Sequence, residues 1–375
     1  MLESRTLELV RRSRDAAASM EDIQAAAEDF FQAVQEATHD DISEASEELA
    51  RNLDISDPRR AAFLALVCGA LAEAGVDPDR FAEPMLQRLS LVLEAATRVV
   101  EECEKEMPPF FDEQELEDDD SSDEESFEED EEEDEEIEDR FEIFERIRSQ
   151  LGVSWDADCA AWESLDQFWP PAIVALSVSP RLRDKFHYLI DNASRIAEYH
   201  EAGHWLGALL VVLEDEPIVV IEPSTGKGIL ARISGVVDNF QLHVLLMDVF
   251  PVSGMLKRRR VSRAVAEVVR GQGPQQIEES IKGAWNLYEW RAVQDGLELP
   301  DSSDYCVECW IWNEGTPDDI PVLGGRRVIL LGPPSYDRQW EAQRIFERLP
   351  ADVVVEKVLT KDEVQQWLQQ MYDSK

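Results

Sequence analysis

Cysteine is rare in this chain of 375 residues. Its five cysteines are Cys68, Cys103, Cys159, Cys306 and Cys309. Such an odd, scattered set is not a disulfide framework, which indicates a reducing compartment. Long apolar runs are lacking too: the longest, at 205–213, is far shorter than the ~20 residues that cross a bilayer. The N-terminal segment lacks the apolar core of a signal peptide. We therefore predict a cytoplasmic protein without a membrane partner.

Basic residues are also in short supply, because 36 Lys and Arg stand against 81 Asp and Glu, giving a formal net charge of −45. Nearly half of this charge comes from Asp112–Asp139, where 21 of 28 residues are acidic and none is basic. Like charges at this density repel and leave little apolar surface to bury, which predicts a disordered linker. A second interpretation is an acidic tether that docks on the basic stretch Lys257–Arg263. The remainder of the chain is still acidic, which argues against nucleic-acid binding.

Hydrophobic residues make up 44% of the sequence, enough for two domains with cores of their own. Apolar spacing and Asp-Pro starts predict a helical domain over residues 1–107. An acidic linker at 108–140 follows, then an α+β domain over 141–300 and an α/β subdomain over 301–375. The predicted fold class is therefore α+β, with a helical N-terminal module that recruits a protein or peptide partner.

Individual elements are also predicted within the C-terminal part. One long helix is expected from about Ser179 to Leu213, followed by a β-hairpin that turns at Pro223–Gly226. Residues 274–293 have helical spacing, whereas 239–250 fit a helix or a strand equally well. The final segment, from about residue 306, predicts strand, helix, strand and helix in that order.

Within the predicted long helix, residues 200–204 spell His-Glu-Ala-Gly-His, the HEAGH motif. Positions four apart lie on one face of a helix, so His200 and His204 would point at one ion. Zinc favours neutral imidazole ligands and leaves room for a bound water, whose proton Glu201 would take as the general base. With five histidines in the chain, chance produces such a motif about once in a hundred chains of this composition. The motif therefore predicts a zinc site.

The stretch YHEAGHWLGALL, residues 199–210, resembles the metal-binding helix of FtsH-type zinc metallopeptidases. The segment after it, with Glu222-Pro223, resembles the strand that follows that helix in the family. The resemblance implies a zinc-dependent peptidase whose third ligand is an aspartate on a helix further along the chain. That position falls on Gln276, whose neutral amide is a poor zinc ligand, and Glu279 is the nearest substitute. A phosphate-binding loop is lacking, so this peptidase would work without an ATPase motor of its own.

A structural interpretation stands beside the catalytic one. Histidines on half-apolar helices are often hydrogen-bonded within a core, so the alternative is a non-catalytic adaptor in which the HEAGH helix is structural. A peptidase needs the face with His200 and His204 open to a cleft with a third ligand, whereas an adaptor permits the tryptophan-rich segment 154–171 to cover it. The Cys306–Cys309 pair is interpreted as incidental, and His243 as a core residue rather than a ligand.

Overall fold

The computed structural model describes residues 1–107, 140–250, 261–299, 309–334 and 337–375. These residues form two compact units. The first unit comprises Met1–Pro171 and Leu189–Trp205, and the second comprises Ala172–Tyr188 and Leu206–Lys375. The predicted α+β class is confirmed, because the first unit is helical and the second combines helices with two β-sheets.

Helix starts in the N-terminal part follow their capping residues. The hydroxyl groups of Ser19 and Thr38 each accept a hydrogen bond from the backbone N–H three residues on, and each forms a capping box. Gly75, at φ 103°, follows the helix Pro58–Glu73, where a glycine in a left-handed conformation commonly ends a helix. The helices up to residue 210 are α1 (Leu2–Arg14), α2 (Met20–Val34), α3 (His39–Ala50), α4 (Pro58–Glu73), α5 (Ala82–Glu104), α6 (Arg140–Ser149), α7 (Asp156–Val178), α8 (Pro180–Phe186), α9 (Ile190–Ile196) and α10 (Glu201–Leu210).

The prediction of one continuous helix from Ser179 to Leu213 is wrong. Three shorter helices, α8, α9 and α10, take its place, and residues 197–199 form a turn before α10. At Gly203 a Cβ atom would lie 2.4 Å from the carbonyl oxygen of Ala193, so only glycine lets α10 approach α9 this closely. Each short helix still buries apolar residues, which is why their spacing resembles that of one long helix.

A six-stranded sheet forms the centre of the second unit. The strands of the second unit are β1 (Glu216–Glu222), β2 (Lys227–Ser234), β3 (Gln276–Lys282), β4 (Asn286–Glu289), β5 (Val322–Leu323), β6 (Arg326–Gly332), β7 (Gln339–Gln343) and β8 (Asp352–Val358). β1 and β2 make the predicted antiparallel hairpin, in which Gly226 adopts a left-handed conformation with φ 65°. β1 also pairs in parallel with β6, β2 pairs with β8, and β4 and β5 both pair with β6. β3 and β7 form a separate two-stranded sheet.

Helices cover both faces of the large sheet. Because successive side chains of a strand alternate between faces, Ile218 and Val220 pack with α11 (Asn239–Val249) and α12 (Arg263–Val269). Val219 and Ile221 pack on the other face with α13 (Lys361–Asp373). The ambiguous segment 239–250 is therefore helical, and Asp238 caps it by accepting a hydrogen bond from the backbone N–H of Gln241.

Two further helix predictions are wrong. Residues 274–293 contain strands β3 and β4, and the expected helix after β6 is instead strand β7, which pairs with β3. Ile277 and Ile281 are four residues apart, a spacing that fits one face of a helix and also one face of a strand. The later elements β8 and α13 form where the sequence predicts them.

Several predictions lie wholly or partly outside the described residues. These are the acidic linker at 108–139, residues 257–260 of the basic stretch, and Cys306 of the cysteine pair. Residues on both sides of 108–139 belong to the first unit. No helix in the described part of the chain has the length and apolar character to cross a bilayer.

Candidate metal centre

His200 stands immediately before α10 rather than inside it. Its carbonyl oxygen accepts a hydrogen bond from the backbone N–H of Gly203 at 3.0 Å. Its ring nitrogen Nδ1 accepts a second one from the backbone N–H of Ala202, also at 3.0 Å. An imidazole thus takes the place that Ser, Thr, Asn or Asp usually occupies at a helix start. Only His204 of the two motif histidines therefore lies on the helix itself.

This hydrogen bond fixes the tautomer of His200. A neutral imidazole has one donor and one acceptor nitrogen, so an Nδ1 that accepts from Ala202 leaves the proton on Nε2. Nε2 faces Asp166, whose Oδ1 lies 3.5 Å away. Burial lowers the pKa of His200, and the negative charges of Asp166 and Glu201 oppose that shift only in part. In this arrangement Nε2 is a protonated donor without a lone pair for zinc.

The surroundings of His200 are apolar as well as polar. The ring of Trp162 on α7 meets the His200 imidazole edge to face, with centroids 5.1 Å apart and planes at 87°. Only 11% of the His200 side chain is exposed. This covering tryptophan comes from the segment 154–171 whose role the sequence left open. Composition pointed to the segment but not to which tryptophan lies on the histidine.

Glu201 and His204 are the exposed members of the motif. Glu201 occupies the first turn of α10, where a carboxylate is favoured by the positive end of the helix dipole. The ring of His204 packs against the next side chain, Trp205, with centroids 4.9 Å apart. Ala202 and Gly203 between them are buried. The motif thus contains one capping residue, two packing residues and two surface residues.

Glu279, the predicted third ligand, belongs to the second unit and lies on β3 rather than on a helix. Its carboxylate accepts a hydrogen bond from Oγ of Ser262 at 3.0 Å. The same Oγ accepts from the backbone N–H of Val265 and so caps α12. Gln276, at the other end of β3, donates to a carboxylate oxygen of Glu341 at 2.8 Å. The helical placement that the FtsH-type resemblance implies for these two residues is therefore wrong.

Among the described residues, no three His, Cys, Asp or Glu side chains are grouped so as to hold a metal ion. His243 is fully buried, and its Nε2 accepts a hydrogen bond from the backbone N–H of Ala284 at 3.1 Å. Burial and the positive charge of Arg338 lower the pKa of His243 to about 3, against the opposing effect of a hydrogen bond with Asn313. The interpretation of His243 as a core residue is confirmed.

No protein-family model, curated protein or solved structure matches this chain. The resemblance to FtsH-type metallopeptidases remains a prediction from the motif and the segment that follows it.

Proposed function

We propose that this chain is a non-catalytic interaction protein in which the HEAGH motif is a structural helix start. The observation that carries the proposal is the hydrogen bond from the backbone N–H of Ala202 to Nδ1 of His200. It assigns to the backbone the lone pair of Nδ1 and leaves Nε2 protonated. The packing of Trp162 on the imidazole supports the same conclusion, because the ring is covered rather than open to a cleft.

Gly203 gives the motif a second structural purpose. Its missing side chain permits contact between α10 and the backbone of α9, since an added Cβ would also lie 2.6 Å from the backbone nitrogen of Ala197. Substitution of a residue in such a contact moves backbone rather than a flexible side chain. A cap at His200 and a close approach at Gly203 therefore account for these two residues of the motif without catalysis.

A zinc-dependent peptidase is the rival proposal, and the exposure of Glu201 and His204 favours it. Zinc binding through His200 would require its ring to turn and release the N–H of Ala202. It would also require a third ligand, for which Glu279 was the candidate. Zinc, if bound, would polarise a peptide carbonyl and supply a hydroxide as the nucleophile.

Two measurements separate these proposals. The ¹⁵N chemical shifts of the His200 ring report which nitrogen carries the proton, and we expect Nε2. Elemental analysis of protein purified with added zinc should give no stoichiometric metal, with His204→Ala as the matched variant. About one zinc per chain in the wild type, lost in His204→Ala, would establish the metal centre instead. Glu201→Gln, tested for peptide cleavage, would then show whether the centre is catalytic.

The proposed partner surface lies on the N-terminal helices. A groove of about 430 Å³ beside α1 and α3 is lined by five carboxylates, by Arg51, which pairs with Glu47 and Glu48, and by Leu7, which is 52% exposed. The carboxylates outnumber the one basic side chain of this lining, which favours a basic partner. Partners captured by the full chain should be lost with the double variant Glu44→Lys and Glu48→Lys in this groove. They should be kept with Glu94→Lys, an exposed position on α5.

The proposed location is the cytoplasm. Among the described cysteines, Cys68 and Cys103 are buried and carry free thiols. Burial raises the pKa of Cys68 to about 12, so this thiol stays protonated and unreactive. Free buried thiols persist in a reducing compartment. Fractionation of cells followed by detection of the full chain tests this location.

A further inference from the structure

A cleft of about 470 Å³ opens beside β3 in the second unit. Six consecutive residues, Glu279–Ala284, line one wall, so the backbone of the strand borders the space as well as its side chains. Within the described residues β3 pairs with β7 alone, along one of its two edges. The other edge of β3 is regular apart from a register shift between Ile277 and Ser280, and backbone N–H and C=O groups on such an edge can pair with an added strand.

The opposite wall of this cleft is apolar. Met247 of α11 and Val265 of α12 are buried side chains that border it, and Val261 and Pro334 extend the apolar surface. In strand addition, main-chain hydrogen bonds supply affinity, and pockets for alternate side chains supply specificity. Here the edge of β3 would supply the main-chain hydrogen bonds, and the apolar wall would supply the side-chain contacts.

The charged groups around the cleft set the chemistry of its occupant. Glu279 is exposed at the wall, and its carboxylate is held by Ser262. Lys282 is the one basic side chain among the described lining residues, and Asp337 pairs with it at 2.7 Å. Because Lys282 and Asp337 neutralise each other, Glu279 is left as the uncompensated charge among the described lining residues, which favours a basic partner.

We propose that the edge of β3 opposite β7 binds an extended peptide of a partner protein, in which apolar residues alternate with lysine or arginine. The peptide adds a third strand to the sheet of β3 and β7. Its apolar side chains point toward Met247 and Val265, and its basic side chains point toward Glu279. This site goes beyond the proposed partner surface on the N-terminal helices and is independent of the state of the HEAGH motif.

The test uses a fluorescein-labelled heptapeptide, Lys-Val-Lys-Val-Lys-Val-Lys, titrated with the full chain and followed by fluorescence anisotropy. A fully N-methylated peptide of the same sequence is the matched probe, because it keeps the side chains and lacks every backbone donor. We expect saturable binding of the first probe and at least tenfold weaker binding of the second. Absence of saturable binding, or equal binding of the two probes, overturns the proposal.

Two adjacent carboxylates of β3 provide matched variants. Glu279 lines the cleft, whereas Glu278, equally exposed, is not among its lining residues. We expect Glu279→Lys to weaken binding at least fivefold and Glu278→Lys to change it less than twofold, with unchanged circular dichroism in both. Equal effects of the two variants would mean that the peptide is held by general charge attraction rather than at this cleft, and would overturn the proposed site.

The chain itself supplies a competing occupant. Residues 251–260, PVSGMLKRRR, combine apolar and basic side chains and precede Val261 in the cleft wall. Replacing them with a Gly/Ser sequence of equal length should leave the affinity for the heptapeptide within twofold. A tenfold gain would identify this segment as the natural occupant and overturn the assignment to a partner. The zinc and tautomer measurements above are unaffected by either result.

Discussion

The hydroxyl group of Tyr199 accepts a hydrogen bond from Nη2 of Arg140 at 3.0 Å. The same hydroxyl lies 3.8 Å from Sδ of Met107, and Phe144 stacks on the tyrosine ring with centroids 4.4 Å apart. Met107 and Arg140 are the described residues on either side of 108–139. The two described residues that flank 108–139 therefore contact the same side chain, that of Tyr199, which precedes His200 in the chain.

The first prediction concerns removal of the acidic run. Met107 and Arg140, on either side of 108–139, both contact Tyr199, so a short connection can join them. Replacing Asp112–Asp139 with eight Gly/Ser residues should raise the free energy of unfolding by less than about 1 kcal/mol, since a shorter loop has a smaller closure entropy. Urea unfolding followed by circular dichroism measures this difference. A large loss of stability would mean that residues 112–139 contribute packing of their own.

The two glycines of α10 offer a matched pair for the second prediction. An added Cβ at Gly203 meets backbone atoms of α9, whereas nothing lies within 4 Å of an added Cβ at Gly207. We expect Gly203→Ala to lower the free energy of unfolding by about 2 kcal/mol through overpacking. Gly207→Ala should raise it by about 0.5–1 kcal/mol, because alanine is the better helix former. Equal effects in thermal unfolding would show that the close approach of α9 and α10 is not required.

The third prediction concerns the two motif histidines. His200→Ala removes the acceptor for the N–H of Ala202 and should cost about 1 kcal/mol, the usual effect of losing a helix cap. His200→Asn keeps a capping side chain and should restore most of this loss. His204→Ala, at an exposed position, should change stability by less than about 0.5 kcal/mol. A zinc site would remove this difference, since both alanine variants would then lose the stabilisation that the metal contributes.

Elements set by local signals were predictable from the sequence. α4 begins at an Asp-Pro pair, the hairpin of β1 and β2 turns at Pro223–Gly226, and Thr360 caps α13. In each case the signal lies within a few residues of the structure that it determines. The N-terminal helices and the beginning and end of the second unit follow from such signals.

Elements set by distant contacts were not predictable. β3 becomes a strand by pairing with β7, about sixty residues later in the chain, and its isoleucine spacing fits both structures. The turn before α10 depends on the fit of Gly203 against Ala193. At the candidate site, the sequence identified the residue types of the motif. The role of His200 depends on which ring nitrogen meets the backbone of Ala202, and no sequence pattern encodes that.

The fourth prediction concerns acid stability and His243. Its pKa is lowered to about 3 in the folded protein from an ordinary value near 6.5, because the ring is buried. Below about pH 6.5, His243 therefore binds a proton in the unfolded chain but stays neutral in the folded chain until the pH approaches 3. Stability from this residue is complete above that pH and falls as the pH drops toward 3. The slope is about 1.4 kcal/mol per pH unit once the unfolded form is protonated.

Comparison with His243→Gln isolates this effect, because glutamine does not titrate and retains an acceptor for the N–H of Ala284. Urea unfolding at pH 7, 5.5 and 4.5 should show a steeper loss of stability in the wild type than in the variant. Carboxylates and His200 titrate in both proteins, so they cancel in the difference. Parallel slopes would mean that His243 accepts a proton without leaving the core, and hence that the pocket around Asn313 and Arg338 admits water.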